Sequence, residues 1–287
     1  MKALSTPTAT AVRAGLVRGR IELRQAVTNR EDVLNLLLPA AIFLTVLLFM
    51  RGSTLPGTNL SLGSAAVPSV VGAGLVFSGL LGMAGQLTVE REDGTLLRAK
   101  ATPNGMVGYL IGKVCAVSAV AVVSMLVTLI PCLFLFDGLA ENGLISWLTL
   151  TWVLVVGLVA TMPIGAVLGS LIPNARSLGL IMLPTMGLAA ISGIFYPISA
   201  LSEWLQVIAQ VFPMYWLGLG MRSALLPDSA VVVEIGQSWR HLETLGVLAV
   251  WAVIGLTLAP IVLRRMARRE SGSSVAARRD KALQRVG

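Results

Sequence analysis

The chain alternates between long apolar stretches and short polar ones. A helix that crosses a hydrocarbon core about 30 Å thick needs about 20 mainly apolar residues, and six stretches meet that requirement. We therefore predict an all-α integral membrane protein with six transmembrane helices, called spans one to six. They are Val33–Met50, Val67–Val89, Val107–Phe136, Trp147–Ile172, Ser177–Tyr196 and Thr244–Leu263.

Two segments outside the spans also have apolar residues at helical spacing. Near the amino terminus such residues alternate with bases, which is typical of a helix in the headgroup plane; a solvated leader is the alternative. They are Val12, Leu16, Gly19, Leu23 and Val27. The segment 197–243 is long, and about half of its residues are apolar. This pattern predicts re-entrant or interfacial outer helices. The chain thus divides into an amphipathic interfacial helix (1–32), a six-span domain (33–263) and a basic tail (264–287).

A charged island, residues 90–105, separates spans two and three. The two spans beside it carry a single charge, Lys113. A segment this polar must lie in water, where another protein can contact it. Its acids are Glu90, Glu92 and Asp93, and its bases are Arg91, Arg98 and Lys100.

Composition and charge agree with this division. Hydrophobic residues make up 55% of the 287 residues and charged residues only 13%, which is typical of a membrane protein. The net charge is +8, and all but three of the 22 Lys and Arg residues fall on the side of the two termini. Because cytoplasmic loops are rich in Lys and Arg, we predict cytoplasmic termini in a bacterial plasma membrane. The basic excess then reflects topology, and no nucleic-acid partner is expected.

The sequence contains no recognisable catalytic or metal-binding motif. Gly112-Lys113 is not followed by Ser or Thr and has no Gly at position 107, so a phosphate loop is absent. The single histidine, His241, excludes a His-based triad and a multi-histidine metal site. No span has Asp, Glu or His near its centre, which weighs against an ion-coupled carrier. We expect no catalytic residue, metal or cofactor in this chain.

Small residues four positions apart recur in the spans. The pairs Gly108/Gly112 and Gly165/Gly169 are examples. Such pairs let helix backbones approach closely. They predict tight packing either within the bundle or between two copies of the chain.

Two stretches resemble the permease subunits of ABC-2 type transporters. The first begins Glu-Arg-Glu-Asp-Gly-Thr at residue 90 and continues through Ala-Thr-Pro at 101–103 to Gly-Lys at 112–113. The second is Gly-Ile-Phe-Tyr-Pro at 193–197, followed by Trp-Leu-Gln at 204–206, Phe-Pro at 212–213 and Arg222. In the residues of these stretches, the sequence is most similar to the daunorubicin and multidrug-resistance exporter branch of the family.

The resemblance implies a permease driven by a separate ABC ATPase. Two ATPase copies and a second permease, identical or related, would complete the assembly, with ATP and Mg²⁺ bound by the ATPase. Residues 90–105 would couple the subunits through a short helix over Glu92–Ala101. Two leucines would anchor it and its charges would fix docking by ion pairs. The coupling residues are Glu90, Arg91, Glu92, Gly94, Thr95, Leu96, Leu97 and Arg98.

The expected function is outward transport of a hydrophobic or amphiphilic compound. An apolar substrate path is expected from spans two and five, although the same side chains would suit a lipid-facing or core position. Its residues are Phe77, Met83, Met186, Ile191 and Phe195. The outer gate or re-entrant residues are Pro197, Trp204, Phe212, Pro213 and Arg222. Export of a polysaccharide or lipo-oligosaccharide is one alternative, and an ATP-independent secondary carrier is another.

Overall fold

The computed structural model describes residues 7–54, 60–102, 104–172, 174–194 and 198–269, and its regular elements there are all helical. The predicted all-α class is confirmed. Phe195, Pro197 and the tail beyond residue 269 lie outside these ranges. The helices are α1 Pro7–Thr28, α2 Arg30–Phe49, α3 Leu62–Phe77, α4 Met83–Glu92, α5 Thr95–Lys100, α6 Gly105–Leu135, α7 Leu144–Leu171, α8 Gly179–Ile191, α9 Glu203–Val211, α10 Pro213–Leu225 and α11 His241–Arg269.

Five helices in the described part of the chain are long and apolar enough to cross a membrane. They are Arg30–Gly52, Leu62–Glu92, Gly105–Leu135, Leu144–Leu171 and His241–Arg268. The second combines α3 and α4 through a π-helical segment, Ser78–Gly82. A shorter apolar stretch, Ala175–Ile191, occupies the position of predicted span five. The membrane-protein class is confirmed, whereas the count of six spans and the cytoplasmic termini stay predictions.

The amino-terminal helix α1 packs along the first turns of α6. Its buried face consists of the small residues Ala11, Gly15 and Gly19, and a Cβ at Gly15 would lie only 2.6 Å from the carbonyl oxygen of Gly108. Most of the predicted apolar stripe is instead exposed, including Leu16. The helix therefore has two faces, one packed against α6 and one exposed and apolar, and its interfacial position stays a prediction.

The segment before α11 separates into a surface helix and a buried helix. One side of α9 is exposed, including Trp204 and Val207. By contrast, α10 is buried along almost its whole length and packs against α3 and α7. Backbone at membrane depth must be covered by protein or remain helical. The burial of α10 fits the re-entrant interpretation, and the exposed side of α9 fits the interfacial one.

Small residues also bring α7 against the middle of the second span. A Cβ added to Gly165 would lie 2.5 Å from the carbonyl oxygen of Leu80. One added to Gly169 would lie 2.7 Å from the Cα of Ala84. Both glycines, like the Gly108/Gly112 pair, therefore pack against helices of the same chain.

We expect Gly165→Ala to destabilise the fold. Alanine normally favours a helix over glycine by about 1 kcal/mol, but here its methyl group would overlap a backbone oxygen, and overpacking costs about 1–3 kcal/mol. The matched control is Gly187→Ala, because Gly187 has open space around its Cβ position. Thermal unfolding in detergent should show a lower midpoint for Gly165→Ala and an unchanged or slightly higher one for Gly187→Ala. Equal midpoints would contradict the close packing.

Candidate functional site

The last turn of α4 places three consecutive charged residues, Glu90, Arg91 and Glu92, next to three different parts of the chain. Successive side chains on an α-helix point about 100° apart, since one turn takes 3.6 residues. Three neighbours in sequence can therefore bind three separate elements. We call these residues and the groups they bind the α4 junction.

Glu90 connects α4 to α1 and α6. Its Oε1 accepts hydrogen bonds from Arg18 Nη2 at 2.6 Å and from Lys113 Nζ at 2.8 Å. Its Oε2 accepts one from the hydroxyl of Tyr109 at 2.6 Å. One carboxylate thus joins α1 to the helices on either side of the charged island.

Lys113 lies at the centre of this arrangement, with only 3% of its side chain exposed. Its second partner is Glu22 Oε2, at 2.8 Å, and Glu22 Oε1 accepts from Arg18 Nε at 2.7 Å. A buried ammonium needs such partners, because its desolvation costs several kcal/mol. Arg18, Glu22, Glu90, Tyr109 and Lys113 form what we call the charge cluster; its two cations balance its two carboxylates.

Arg18 contributes to the charge cluster by its charge and by the flat face of its guanidinium group. The guanidinium lies 4.9 Å from the centre of the Tyr109 ring, which favours a cation–π contact. Burial lowers the pKa of Arg18, but the hydrogen bond to Glu22 and the charges of Glu90 and Glu22 outweigh it and raise that pKa above its ordinary value. Arg18 is therefore a permanent cation.

Arg91 connects α4 to the end of α7. Its Nη1 donates to the carbonyl oxygen of Ile172 at 3.0 Å and to that of Ser170 at 3.5 Å. The last carbonyls of a helix have no partner within the helix and carry a partial negative charge. An arginine there satisfies them and fixes the end of α7.

Glu92 connects α4 to the segment that leads into α8. Its Oε1 accepts a hydrogen bond from the backbone N–H of Ala175 at 3.0 Å. Ala175 begins a 3₁₀ turn, Ala175–Leu178, directly before α8. A carboxylate is favoured at such a helical amino end.

The predicted coupling helix is shorter than expected. It begins at Thr95 rather than Glu92, since Gly94 adopts a left-handed conformation with φ of 79° and the helix of span two ends before it. Glycine favours this conformation because it lacks a Cβ. The Asp93 Oδ1 then accepts from the Thr95 N–H at 2.8 Å. The predicted helix over Glu92–Ala101 is therefore wrong in its extent.

The short helix α5 has a buried side and an outward side. Leu96 is buried in the core of the bundle, whereas Leu97 is half-buried and Arg98 is exposed. Arg98 Nη2 donates to Thr95 Oγ1 at 2.9 Å, and Lys100 Nζ donates to the carbonyl oxygen of Ala267 in α11 at 2.8 Å. Of the predicted coupling residues, Glu90, Arg91, Glu92 and Leu96 contact other helices of this chain, whereas Thr95 and Arg98 bond to each other within α5.

The sequence alone did not assign a coupling role to the other four members of the charge cluster, Arg18, Glu22, Tyr109 and Lys113. Two signals were available. Arg18 and Glu22 are four positions apart, the spacing of an ion pair on one helix. Lys113 is the single charge in a predicted span, and such a residue normally has a partner.

A second polar group lies at the predicted outer end. Arg222 is buried, and its Nε and Nη2 donate to Glu234 at 2.5 and 3.2 Å. Its Nη1 donates to Ser69 Oγ and to the carbonyl oxygen of Gly193, both at 3.2 Å. Arg222 thus joins α10 to α3, to the turn after α8 and to the segment that follows α10.

Three of the other predicted outer residues are described by the structure, and they are spread along this region. Trp204 is exposed on α9. Phe212 stacks on Trp251 of α11 with ring centres 5.9 Å apart, and Pro213 occupies the first turn of the buried α10. They do not converge on Arg222 to form one gate.

The four substrate-path residues that the structure describes do not line one common pocket. Phe77 lines a cavity of about 430 Å³ between α2, α3 and α6, and Met83 lines a groove of about 360 Å³ between α6, α7 and α11. Met186 is exposed on α8, and Ile191 is half-buried at the end of that helix. Among the described residues, no group of three or more His, Cys, Asp or Glu side chains is placed to hold a metal ion.

We expect Glu90→Gln to destabilise the protein by about 2–3 kcal/mol, the scale of hydrogen bonds to a charged group. The substitution keeps the size of the side chain but removes the charge that pairs with Arg18 and Lys113. Thermal unfolding in detergent checks it, with Glu141→Gln on an exposed loop as the control. A midpoint for Glu90→Gln equal to that of the control would show that the charge cluster does not hold α1, α4 and α6 together.

Comparison with known proteins agrees with this architecture. The family model described as "ABC-2 family transporter protein" matches residues 27–260, which is most of the chain. No curated protein gives a significant match. The matched region contains all but the last three residues of the predicted membrane domain, and it contains the whole of the α4 junction except Arg18. The chain therefore belongs to the ABC-2 family of transporters, as a multi-pass membrane subunit.

Proposed function

We propose that this chain is the permease of an exporter that moves hydrophobic or amphiphilic compounds outward across a bacterial plasma membrane. Membership of the family implies an ATPase partner. ATP and Mg²⁺ bind to that ATPase, and this chain supplies no catalytic group. Two permease copies and two ATPase copies form the assembly, with the termini and the charged island facing the cytoplasm.

The α4 junction is the observation that carries the proposal. A transporter subunit without a nucleotide motif must receive force from its partner. Because Glu90, Arg91 and Glu92 bind α1, α6, the end of α7 and the start of α8, a displacement of the charged island reaches all four at once. The helices held by these bonds move together, so the displacement is not lost within the charged island.

The ATPase contacts the outward side of α5. Leu97 and Arg98 on this side, with the exposed Asp93 beside them, are the island residues that we assign to the external partner. Charges on the rim of an interface mainly set orientation and the rate of association, while a partly exposed leucine supplies apolar contact. Docking and transmission are thus divided between adjacent residues.

Apolar cavities support an apolar or amphiphilic cargo. The groove beside Met83 contains a single charged residue, Arg264, and a third cavity of about 330 Å³ between spans two, four and five contains none. Sugar polymers bind to surfaces rich in polar and aromatic groups, which these cavities offer only sparsely. Residues of the substrate path, including Phe77 and Met83, would meet the cargo at different stages of its passage.

Replacing Leu97 and Arg98 together by alanine should weaken ATPase binding at least about 30-fold, since two interface anchors of more than about 1 kcal/mol each contribute more than about 2 kcal/mol together. Co-purification of the ATPase and stimulation of its activity by the permease should both fall. The thermal midpoint should fall only slightly, because Arg98 is exposed and Leu97 is half-buried. Arg51→Ala, on the opposite predicted side, is the control, and unchanged co-purification of the double variant would exclude this docking surface.

Glu92→Ala should separate transmission from docking. It removes the bond to Ala175 but leaves the outward side of α5 intact. We expect the ATPase to co-purify normally while ATP-driven transport in proteoliposomes falls at least fivefold. Normal transport by Glu92→Ala would mean that force does not pass through this bond.

Inside-out membrane vesicles test direction and energy source. With the ATPase present, ATP should drive accumulation of an apolar fluorescent dye in the vesicle lumen, and ionophores that collapse ion gradients should leave it unchanged. Loss of accumulation with the ion gradient, or transport without ATP, would support the secondary carrier instead. If the dye does not accumulate but a lipid-linked oligosaccharide does, the result would support the polysaccharide branch.

A further inference from the structure

A groove opens on the side of the bundle between α6 and α11. Its floor is buried and apolar: Met83, Ala166 and Leu263 are each no more than 5% exposed. Its rim is apolar and open, since Val107 and Leu256 are 43% and 54% exposed. In a spanning bundle such a rim faces the hydrocarbon of the membrane.

The length of the groove matches one leaflet. Along α11 it runs from Leu256 to Ala267, a distance of about 16 Å at about 1.5 Å per residue. Half of a hydrocarbon core is about 15 Å thick. Its Arg264 end lies just past Leu263, the predicted end of span six, so in the predicted topology the groove extends along one leaflet.

The two ends of the groove differ in polarity. Away from Arg264 the lining is apolar, and it includes Met162, whose sulfur is contacted by Ser118 Oγ at 3.4 Å. At the other end, Arg264 is the single charged residue of the lining, and Arg265 follows it on the exposed surface of α11. Ligands rich in dispersed polar groups need several polar partners in a pocket. This lining suits a molecule with one long apolar tail and one anionic end.

We propose that the groove binds an acyl chain of an anionic phospholipid, with the phosphate of the headgroup at Arg264. Basic residues at the cytoplasmic surface attract anionic lipids, and the groove adds an apolar site of defined shape for the chain. The site also lies beside the charged island, because Lys100 of α5 binds the carbonyl oxygen of Ala267 at the same end. Lipid binding does not depend on transport and can be measured on the permease alone.

Lipid retention by the full-length protein tests the proposal. The detergent-purified protein is incubated with phosphatidylglycerol or phosphatidylcholine, and bound lipid is counted by native mass spectrometry. Wild-type protein should retain phosphatidylglycerol preferentially. Arg264→Ala should reduce that retention about tenfold, while Arg265→Ala, the exposed neighbour outside the lining, should leave it unchanged. Equal losses in both variants would reveal only diffuse charge attraction and would overturn the site.

A second pair of variants tests the acyl-chain part of the groove. Ala259→Trp places a large side chain in the lining, and Ala249→Trp places the same side chain on an exposed part of α11. Retention of both lipids at the site should fall for Ala259→Trp and stay normal for Ala249→Trp. Unchanged retention by a folded Ala259→Trp would exclude the groove. If Ala259→Trp does not fold, the comparison of Arg264→Ala with Arg265→Ala tests the lipid site.

Discussion

The burial of one ammonium group determines how the predicted cytoplasmic end of this protein is built. Lys113 stands near the start of an otherwise apolar helix, and its side chain has almost no contact with solvent. Such a charge is tolerated only when carboxylates are held against it. Glu22 comes from α1 and Glu90 from α4, so neutralising Lys113 requires three helices to meet. The small residues Gly15 and Gly112 make that meeting possible, since any Cβ on either would crowd the other helix.

This requirement explains why the α4 junction can act as a mechanical connection. Glu90 is committed to the charge cluster, while Arg91 and Glu92 hold the end of α7 and the approach to α8. The left-handed Gly94 then turns the chain into α5, which presents its outward side to a partner. Residues that look alike in sequence thus have different surroundings. Glu90, Arg91 and Glu92, before the glycine, join helices of the permease. Leu97 and Arg98, after it, are the residues that we propose for ATPase docking. On the predicted outer side, Arg222 holds α10 to α3 in a similar way.

Much of the fold could be predicted because hydrophobic runs set helix length. Predicted span three, Val107–Phe136, differs from α6 by only one or two residues at each end. Span five was overestimated because hydrophobicity continues past Ile191, whereas the backbone turns at Gly193 with φ of 74°. The charge cluster could not be read locally, since its members come from three distant segments. The same is true of Arg222 and Glu234, whose pairing depends on how α10 folds back into the bundle.

In the proposed function, the charged island and the start of α8 move as one body when the ATPase acts. Spin labels at Ala101, Arg176 and Arg51, in a variant with Cys115 and Cys132 replaced, allow the relevant distances to be measured by pulsed electron resonance. All three label positions are exposed. On trapping the ATPase with nucleotide, the distance between positions 101 and 176 should stay constant while that between 101 and 51 changes. A change in the 101–176 distance with a constant 101–51 distance would contradict transmission through the α4 junction.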